Sequence, residues 1–395
     1  MQLEELIDTR EIIICCGSGG VGKTTTAAAI AIEAAIRGRK VIVLTIDPAK
    51  RLANSLGLSE LGNEVRCVPL QKFTEAGIAP KGRLCAMMLD TKRTFDELVI
   101  KFSPNEEMRE KILNNILYKN ISDTFVGSQE YMAMEKLFEI YTEGKYDLMV
   151  LDTPPTKHAL DFLDAPRRMT DFLDGRVLKW FLMPYFSAGK LGLRVFQKSA
   201  AVILRTLEKV TGLAALKVAS DFFAAFEGMY DGFKERAESV YGLLHDKTTA
   251  FLLVTSPEDI TIEEAIYFYD KLIEYEMPFC GLIVNKVHTD FASDPEVERI
   301  LDSDAEKLAK KISSSLAKTE SEKKVMETVA ASLARNLKSF RSLAEIDAEN
   351  VRYLSENIDP GTDLRVVPFF DTDVYDIEGL LQINRYLFGA NGAKD

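Results

Sequence analysis

Short, continuous apolar runs punctuate the chain at 11–16 (EIIICC), 41–46 (VIVLTI), 84–89 (LCAMML), 147–151 (DLMVL), 250–255 (AFLLVT), 279–284 (FCGLIV) and 364–368 (LRVVP). A half-exposed strand would alternate apolar and polar positions, and a buried helix would need a longer run. Helical patterns separate the runs. Strands buried on both faces and alternating with helices predict an α/β fold with a doubly wound, mainly parallel sheet. The first crossover is the clearest. Strand 11–16 meets a glycine-rich turn, and Lys23 to Arg37 then reads as an alanine-rich helix closed by Gly38.

Two long helical segments interrupt this alternation. The segment 156–248 holds a cluster of aromatics, with eight of the 22 phenylalanines between Phe172 and Phe233. Within it Val218, Phe222, Phe226, Met229 and Phe233 recur at helical spacing and define one apolar face. The segment of about 290–346 is highly charged. Val297, Leu301, Ala305, Leu308, Ile312 and Leu316 form one stripe, and Val325, Val329, Leu333, Leu337 and Phe340 form a second. These predict two amphipathic helices meeting near Thr319 to Lys324, as in an antiparallel hairpin. The chain thus divides into an α/β domain of 1–155 and 249–395, with the charged insertion, and a Phe-rich helical subdomain of 156–248. Helices from 91–145 are expected to join that subdomain.

Composition narrows the classes of function. The 395 residues carry a net charge of -12. With no basic patch along the sequence, a nucleic-acid-coating role is disfavoured. No apolar run is long enough to span a membrane. The acidic start, Met1 to Glu5, lacks the basic flank of a signal peptide, so a cytoplasmic protein is expected. The five cysteines, 15, 16, 67, 85 and 280, fall in no metal-ligand spacing. They read as buried thiols packed as small hydrophobes, and a disulfide framework is not expected.

The turn after the first strand carries the chemistry. Gly17-Ser18-Gly19-Gly20-Val21-Gly22-Lys23-Thr24 lies between a strand and a helix, the context that a phosphate-cradling loop requires. Glycines permit the backbone to wrap phosphate oxygens, and the following helix adds its positive end. Gly19, Gly20, Val21 and Gly22 are the expected backbone donors. Lys23 is expected to bridge the β- and γ-phosphates of ATP, the Thr24 hydroxyl to ligate Mg²⁺, and Thr25 to reach the α-phosphate. Two further loops leave strands at the same edge, Asp47-Pro48-Ala49 and Asp152-Thr153-Pro154-Pro155-Thr156. Ligands gather at the carboxyl ends of parallel strands. Asp152, closing an apolar strand, reads as the carboxylate on the Mg²⁺ side, acting through water. Asp47 reads as the residue that orients or deprotonates the attacking water, as the cap of a helix starting near Lys50, or as both.

Taken in order, G-S-G-G-V-G-K-T-T, D-P-A-K-R-L and D-T-P-P-T-K-H-A-L resemble the ArsA-type ATPases, P-loop NTPases of the deviant Walker A class. That family includes the arsenite-pump ATPase and the ATPase that targets tail-anchored membrane proteins. The resemblance implies ATP-driven opening and closing of a dimer, with the loops after Asp47 and Asp152 as switches I and II. It also implies that Asn285, with the backbone near Pro368 and Phe369, contacts adenine. Four departures stand out. Ser18 occupies the place of the lysine that usually reaches the partner's phosphates, and a serine supplies no cationic clamp. Lys50, Arg51 and Lys157 are candidate substitutes, or a lysine-bearing related chain completes a heterodimer. The Cys-x-x-Cys zinc pair of the targeting branch is absent from the sequence, the arsenite-binding cysteines are not recognisable, and 82 residues separate Asn285 from Pro368.

Three functions remain open on this engine. One is a carrier or targeting ATPase that shields an apolar client, a membrane-protein segment for instance, in a helical groove. The second is a weakly hydrolysing ATP-binding regulator or scaffold in a heterodimer, and the third an arsenite or anion efflux ATPase. The 156–248 aromatics then form either a client groove or a closed core. His158 either relays nucleotide state from switch II or is structural, and Trp180 reports on either packing or a client.

Overall fold

The apolar runs become the strands of one sheet in the computed structural model, which describes residues 2–46, 51–116, 118–119, 128–154, 164–165, 167–168, 222, 229–290 and 320–389. The described elements begin with α1 (Leu3–Thr9), β1 (Ile12–Cys16), α2 (Lys23–Arg37), β2 (Lys40–Thr45), α3 (Arg51–Ser55), β3 (Arg66–Cys67) and α4 (Leu70–Glu75). They continue with β4 (Arg83–Met88), α5 (Thr91–Phe102), α6 (Glu106–Leu113), α7 (Ser128–Glu143), β5 (Leu148–Asp152) and α8 (Tyr230–His245). The last are β6 (Thr249–Thr255), α9 (Asp259–Glu274), β7 (Phe279–Val287), α10 (Glu320–Glu356), β8 (Asp363–Pro368) and α11 (Ile377–Phe388).

The strand order is β3-β4-β2-β5-β1-β6-β7-β8. Every neighbouring pair is parallel except β3 with β4. The seven runs read from the sequence are the seven longer strands. The antiparallel edge pairing was not expected, because β3 is only two residues long and leaves no periodic signal.

Side chains alternate across the sheet and give it two cores. Ile12, Ile14 and Cys16 point to one face, where they share a cluster with Phe95, Leu98, Met132, Leu137, Phe233 and Phe268 from α5, α7, α8 and α9. Ile13 and Cys15 point to the other, beneath the alanines of α2 and Leu380, Ile383 and Leu387 of α11. Small side chains let α2 lie close to the strands. It stops where expected, at Gly38, whose φ of 114° lets its N–H reach the carbonyls of Ala34 and Ala35.

β1 lies between β5 and β6. The chain leaves β1, passes β5 and adds β2, whereas the connection from β5 passes β1 to reach β6. The winding reverses at β1, and such a reversal opens a crevice at the strand carboxyl ends.

Two expectations need correction. Cys67 and Cys85 are not free thiols: they sit opposite each other across the β3–β4 ladder and form a disulfide. The second charged stripe does not end near 346. It belongs to a 37-residue α10 that runs on to Glu356 and buries Leu354. Val325, Val329, Leu333 and Leu337 are exposed on it. The expected partner helix, 297–316, lies outside the described residues. So does most of the Phe-rich segment, but its Phe222, Met229 and Phe233 are buried in the core beside the sheet.

The disulfide predicts a thiol count. Unreduced, denatured protein should titrate three thiols, those of Cys15, Cys16 and Cys280. The cross-link spans 18 residues of sequence, a loop whose closure is worth about 3 kcal/mol. Reduction should therefore lower the thermal midpoint. Five reactive thiols before reduction would remove this bond from the account.

Candidate functional site

The crevice beyond β1 is built on backbone conformations that its glycines make possible. Gly17, Gly20 and Gly22 have φ of 141°, 83° and 100°. Space matters as much as torsion. A Cβ on Gly17 would lie 2.0 Å from the Val254 carbonyl oxygen, and one on Gly22 would lie 2.2 Å from the Asn285 amide nitrogen. The loop is therefore packed directly against the ends of β6 and β7.

Lys23 opens α2 and is buried at 6% exposure. Its Nζ donates to the carbonyl oxygens of Gly17 at 2.9 Å and Ser18 at 2.7 Å. These bonds fold the lysine across the mouth of its own loop, with the ammonium at the place where phosphate oxygens would enter. Beside it, the Thr24 hydroxyl donates to Asp152 Oδ2 at 2.7 Å, and the Thr45 hydroxyl donates to the same oxygen at 2.8 Å. Sheet register produces this meeting, since Asp152 stands level with Cys15 on β1 and Thr45 on β2. Asp152 is 1% exposed. Thr153 then turns back, its hydroxyl donating to the Cys15 carbonyl at 2.9 Å. A buried carboxylate oxygen gathered with two hydroxyls is a hard-oxygen donor set, and it suits a hard divalent cation.

The far wall comes from β7. Its pairing with β8 slips between Val284 and Val287, and Lys286 takes a left-handed φ of 63° that side-chain-bearing residues seldom adopt. At this irregularity Asn285 Nδ2 donates to the Val21 carbonyl at 2.8 Å, and Lys286 Nζ donates to the Gly20 carbonyl at 2.8 Å. Two neighbouring side chains thus hold two neighbouring carbonyls of the loop. One donor of Asn285, expected at adenine, is engaged with the phosphate loop, and its remaining polar capacity is what a base could use. Phe369 follows β8, with its N–H bonded to the Val287 carbonyl at 2.9 Å.

Several expected residues cannot be placed. Asp47, Lys50, Pro155, Lys157, His158 and Trp180 lie outside the described residues. Arg51 is exposed at the start of α3. Ser18 donates its hydroxyl to Glu264 of α9, so the second position of the loop has an acidic neighbour. Thr45 and Glu264 went unread in the sequence, and Lys286 was read only beside Asn285 at the adenine end. Thr45 is one more β-branched residue in a strand, and the other two become neighbours of the loop only once β7 and α9 are folded beside it.

The nearby thiols are poor metal or metalloid ligands in this form. Burial raises the Cys15 thiol well above its ordinary range, with the Asp152 charge adding to it. Burial also pushes Cys16 up to about 12, against the opposing charge of Lys23.

Comparison with known proteins agrees with this geometry. The profile of the anion-transporting ATPase (ArsA ATPase) family matches residues 10–345. The ATPase GET3 of Malassezia globosa is 26% identical over 290 residues, covering 72% of this chain and 76% of that protein. Two Aquifex aeolicus proteins carry the provisional names arsenical pump-driving ATPase 1 and 2. The first is 24% identical over 290 residues, covering 70% of this chain and 63% of its own length. The second is 27% identical over 273 residues, covering 69% and 78%.

The Asn285 clamp makes a direct prediction. Asn285→Ala removes one donor and leaves the buried Val21 carbonyl without it, a change worth about 1 to 2 kcal/mol. ATP affinity measured by calorimetry should fall roughly tenfold, with a small change in thermal midpoint. Unchanged affinity would mean that the clamp does not shape the loop.

Proposed function

This chain belongs to the anion-transporting ATPase family, and from that premise we propose that its ATPase cycle opens and closes a dimer to control the binding of an apolar client, such as a membrane-protein segment. The observation that carries the reading is the meeting of Thr24 with Asp152 Oδ2 at 2.7 Å beside the buried Lys23. A P-loop lysine, a helix N-terminal hydroxyl and a strand-end carboxylate in one crevice are the parts needed to bind a triphosphate with its metal.

In this reading Gly19, Gly20, Val21 and Gly22 offer backbone N–H groups to the phosphates. Lys23 exchanges its two carbonyl partners for β- and γ-phosphate oxygens, and Thr25 reaches the α-phosphate. Thr24 and, through water, Asp152 would hold Mg²⁺. The metal, when bound, neutralises phosphate charge. Asp47 orients or deprotonates the attacking water. Asn285, Pro368 and Phe369 hold the adenine. The loops after Asp47 and Asp152 then act as the switches, and 156–248, with helices of 91–145, forms the client-binding unit. GET3, the name borne by the Malassezia relative, supports reading this chain with the targeting branch. No helix among the described residues is long and apolar enough to cross a membrane. The proposed ATPase acts from the cytoplasm.

A second reading draws on one specific contact. The hydroxyl of Ser18 is engaged with Glu264, so this loop position offers a neutral group tied to an acid where a cation would stabilise the transition state. Loss of such a cation can slow turnover by several orders of magnitude. A weakly hydrolysing regulator, or a heterodimer whose partner brings the cation, follows from that. Arsenite or anion efflux has less in its favour. It needs thiolates, and burial raises the Cys15 and Cys16 thiols while Cys67 and Cys85 are bonded together.

The two leading readings differ in steady-state hydrolysis. A self-sufficient dimer should show specific activity that rises with protein concentration and is abolished by Asp47→Asn. Wild type that binds ATP yet turns over no faster than Asp47→Asn would overturn autonomous catalysis and favour the regulator.

A further inference from the structure

Phe369 stands at the end of the site where β7 and β8 finish. Its backbone is tied to Val287, and half of the residue is exposed, at 49%. One face of its ring is covered by His288, with centroids 5.1 Å apart and planes 17° from parallel. With about half of the residue exposed, area remains on Phe369 for a flat ligand. His288 is itself held firmly. Its backbone N–H donates to Asp347 Oδ2 at 2.7 Å, and its Nδ1 lies 2.8 Å from the same oxygen. Phe340 meets the imidazole edge-on at 5.2 Å.

Asp347 is 7% exposed and belongs to α10, as does Phe340. A long charged helix, far in sequence from the phosphate loop, therefore fixes the ring that backs Phe369. Two bonds to one carboxylate oxygen restrain both the backbone and the imidazole of His288, so the support is defined in position and in tilt. An aromatic platform fixed in this way gives a base its stacking partner without the entropy of ordering a loose ring.

We propose that His288 and Asp347 are positioning residues for the purine of ATP. Asp347 holds the imidazole, the imidazole backs Phe369, and the base stacks on the area of Phe369 left exposed. The proposal rests on the reading of Asn285, Pro368 and Phe369 as the base contacts and extends that site onto α10. A coupling follows, because whatever displaces α10 tilts the platform, and occupancy of the platform restrains α10 by the same free energy.

The test compares ATP with inorganic tripolyphosphate, which has the phosphates but no base. Phe369→Ala should weaken ATP about tenfold, as the loss of one base–aromatic stack does, and leave tripolyphosphate unchanged. His288→Ala and Asp347→Ala should each shift the same ratio roughly three- to tenfold through the loosened ring. His288→Phe, which keeps a flat support, should recover part of the loss. Asp347→Asn, which keeps an acceptor oxygen but loses the charge, should fall between wild type and Asp347→Ala, and the thermal midpoint of each variant checks its folding. A ratio unmoved by Phe369→Ala sinks the base-contact reading, and the proposal with it. A ratio moved by Phe369→Ala but by neither His288→Ala nor Asp347→Ala overturns the positioning role alone. Equal weakening of both ligands in the His288 and Asp347 variants would show a general structural role and also overturn it.

Discussion

The two hydroxyl bonds accepted by Asp152 Oδ2 organise the edge of the sheet from which everything else follows. One donor, Thr24, lies in the first turn of the helix that follows the glycine loop, and the other, Thr45, closes the strand that leads to Asp47. A buried carboxylate is costly unless its oxygens are satisfied. The same oxygen that β5 cannot leave bare therefore draws three elements, β2, β5 and α2, into one corner. This corner is where a metal-bound triphosphate needs oxygen ligands. Structural demands and those of the proposed chemistry coincide there, because a buried carboxylate oxygen gathered with two hydroxyls is also suited to a hydrated cation.

The opposite wall solves a different problem. A glycine-rich loop is free to take many conformations, and that freedom must be removed before backbone N–H groups can point together at phosphates. The irregularity in β7 does this by placing Asn285 and Lys286 on consecutive carbonyls of the loop. From there the site continues through Phe369 and His288 to Asp347 on α10. In the proposed reading, phosphate cradle, base platform and charged helix form one chain of contacts. Such continuity is what a nucleotide-gated machine requires if binding at one end is to be felt at the other.

How much was legible in the sequence depended on distance along the chain. The glycine loop, Lys23 and Thr24 are eight consecutive residues, and their strand–turn–helix setting is written in the flanking EIIICC and the alanines of α2. Doubly buried strands announced themselves as continuous apolar runs, and the sheet contains all seven. What stayed hidden required pairing between remote segments. The two-residue β3 carries no periodicity, so neither its antiparallel pairing nor the Cys67–Cys85 bond it enables was expected. Nothing in the sequence singled out Asp347, just past the expected end of the charged segment, and only the packing of α10 against the end of β7 brings it to His288. The serine at position 18 was visible as a departure, but its acidic neighbour Glu264 was not, since 246 residues separate them.

The most direct test of the account is ATP binding by wild type and Asp152→Asn, measured by calorimetry with Mg²⁺ and again with the metal chelated. If Asp152 acts on the metal side of the phosphates, the substitution should weaken binding strongly with Mg²⁺ and little without it, at one ATP per chain. An equal loss under both conditions would mean that Asp152 only supports the fold of this corner, and the central claim would fail.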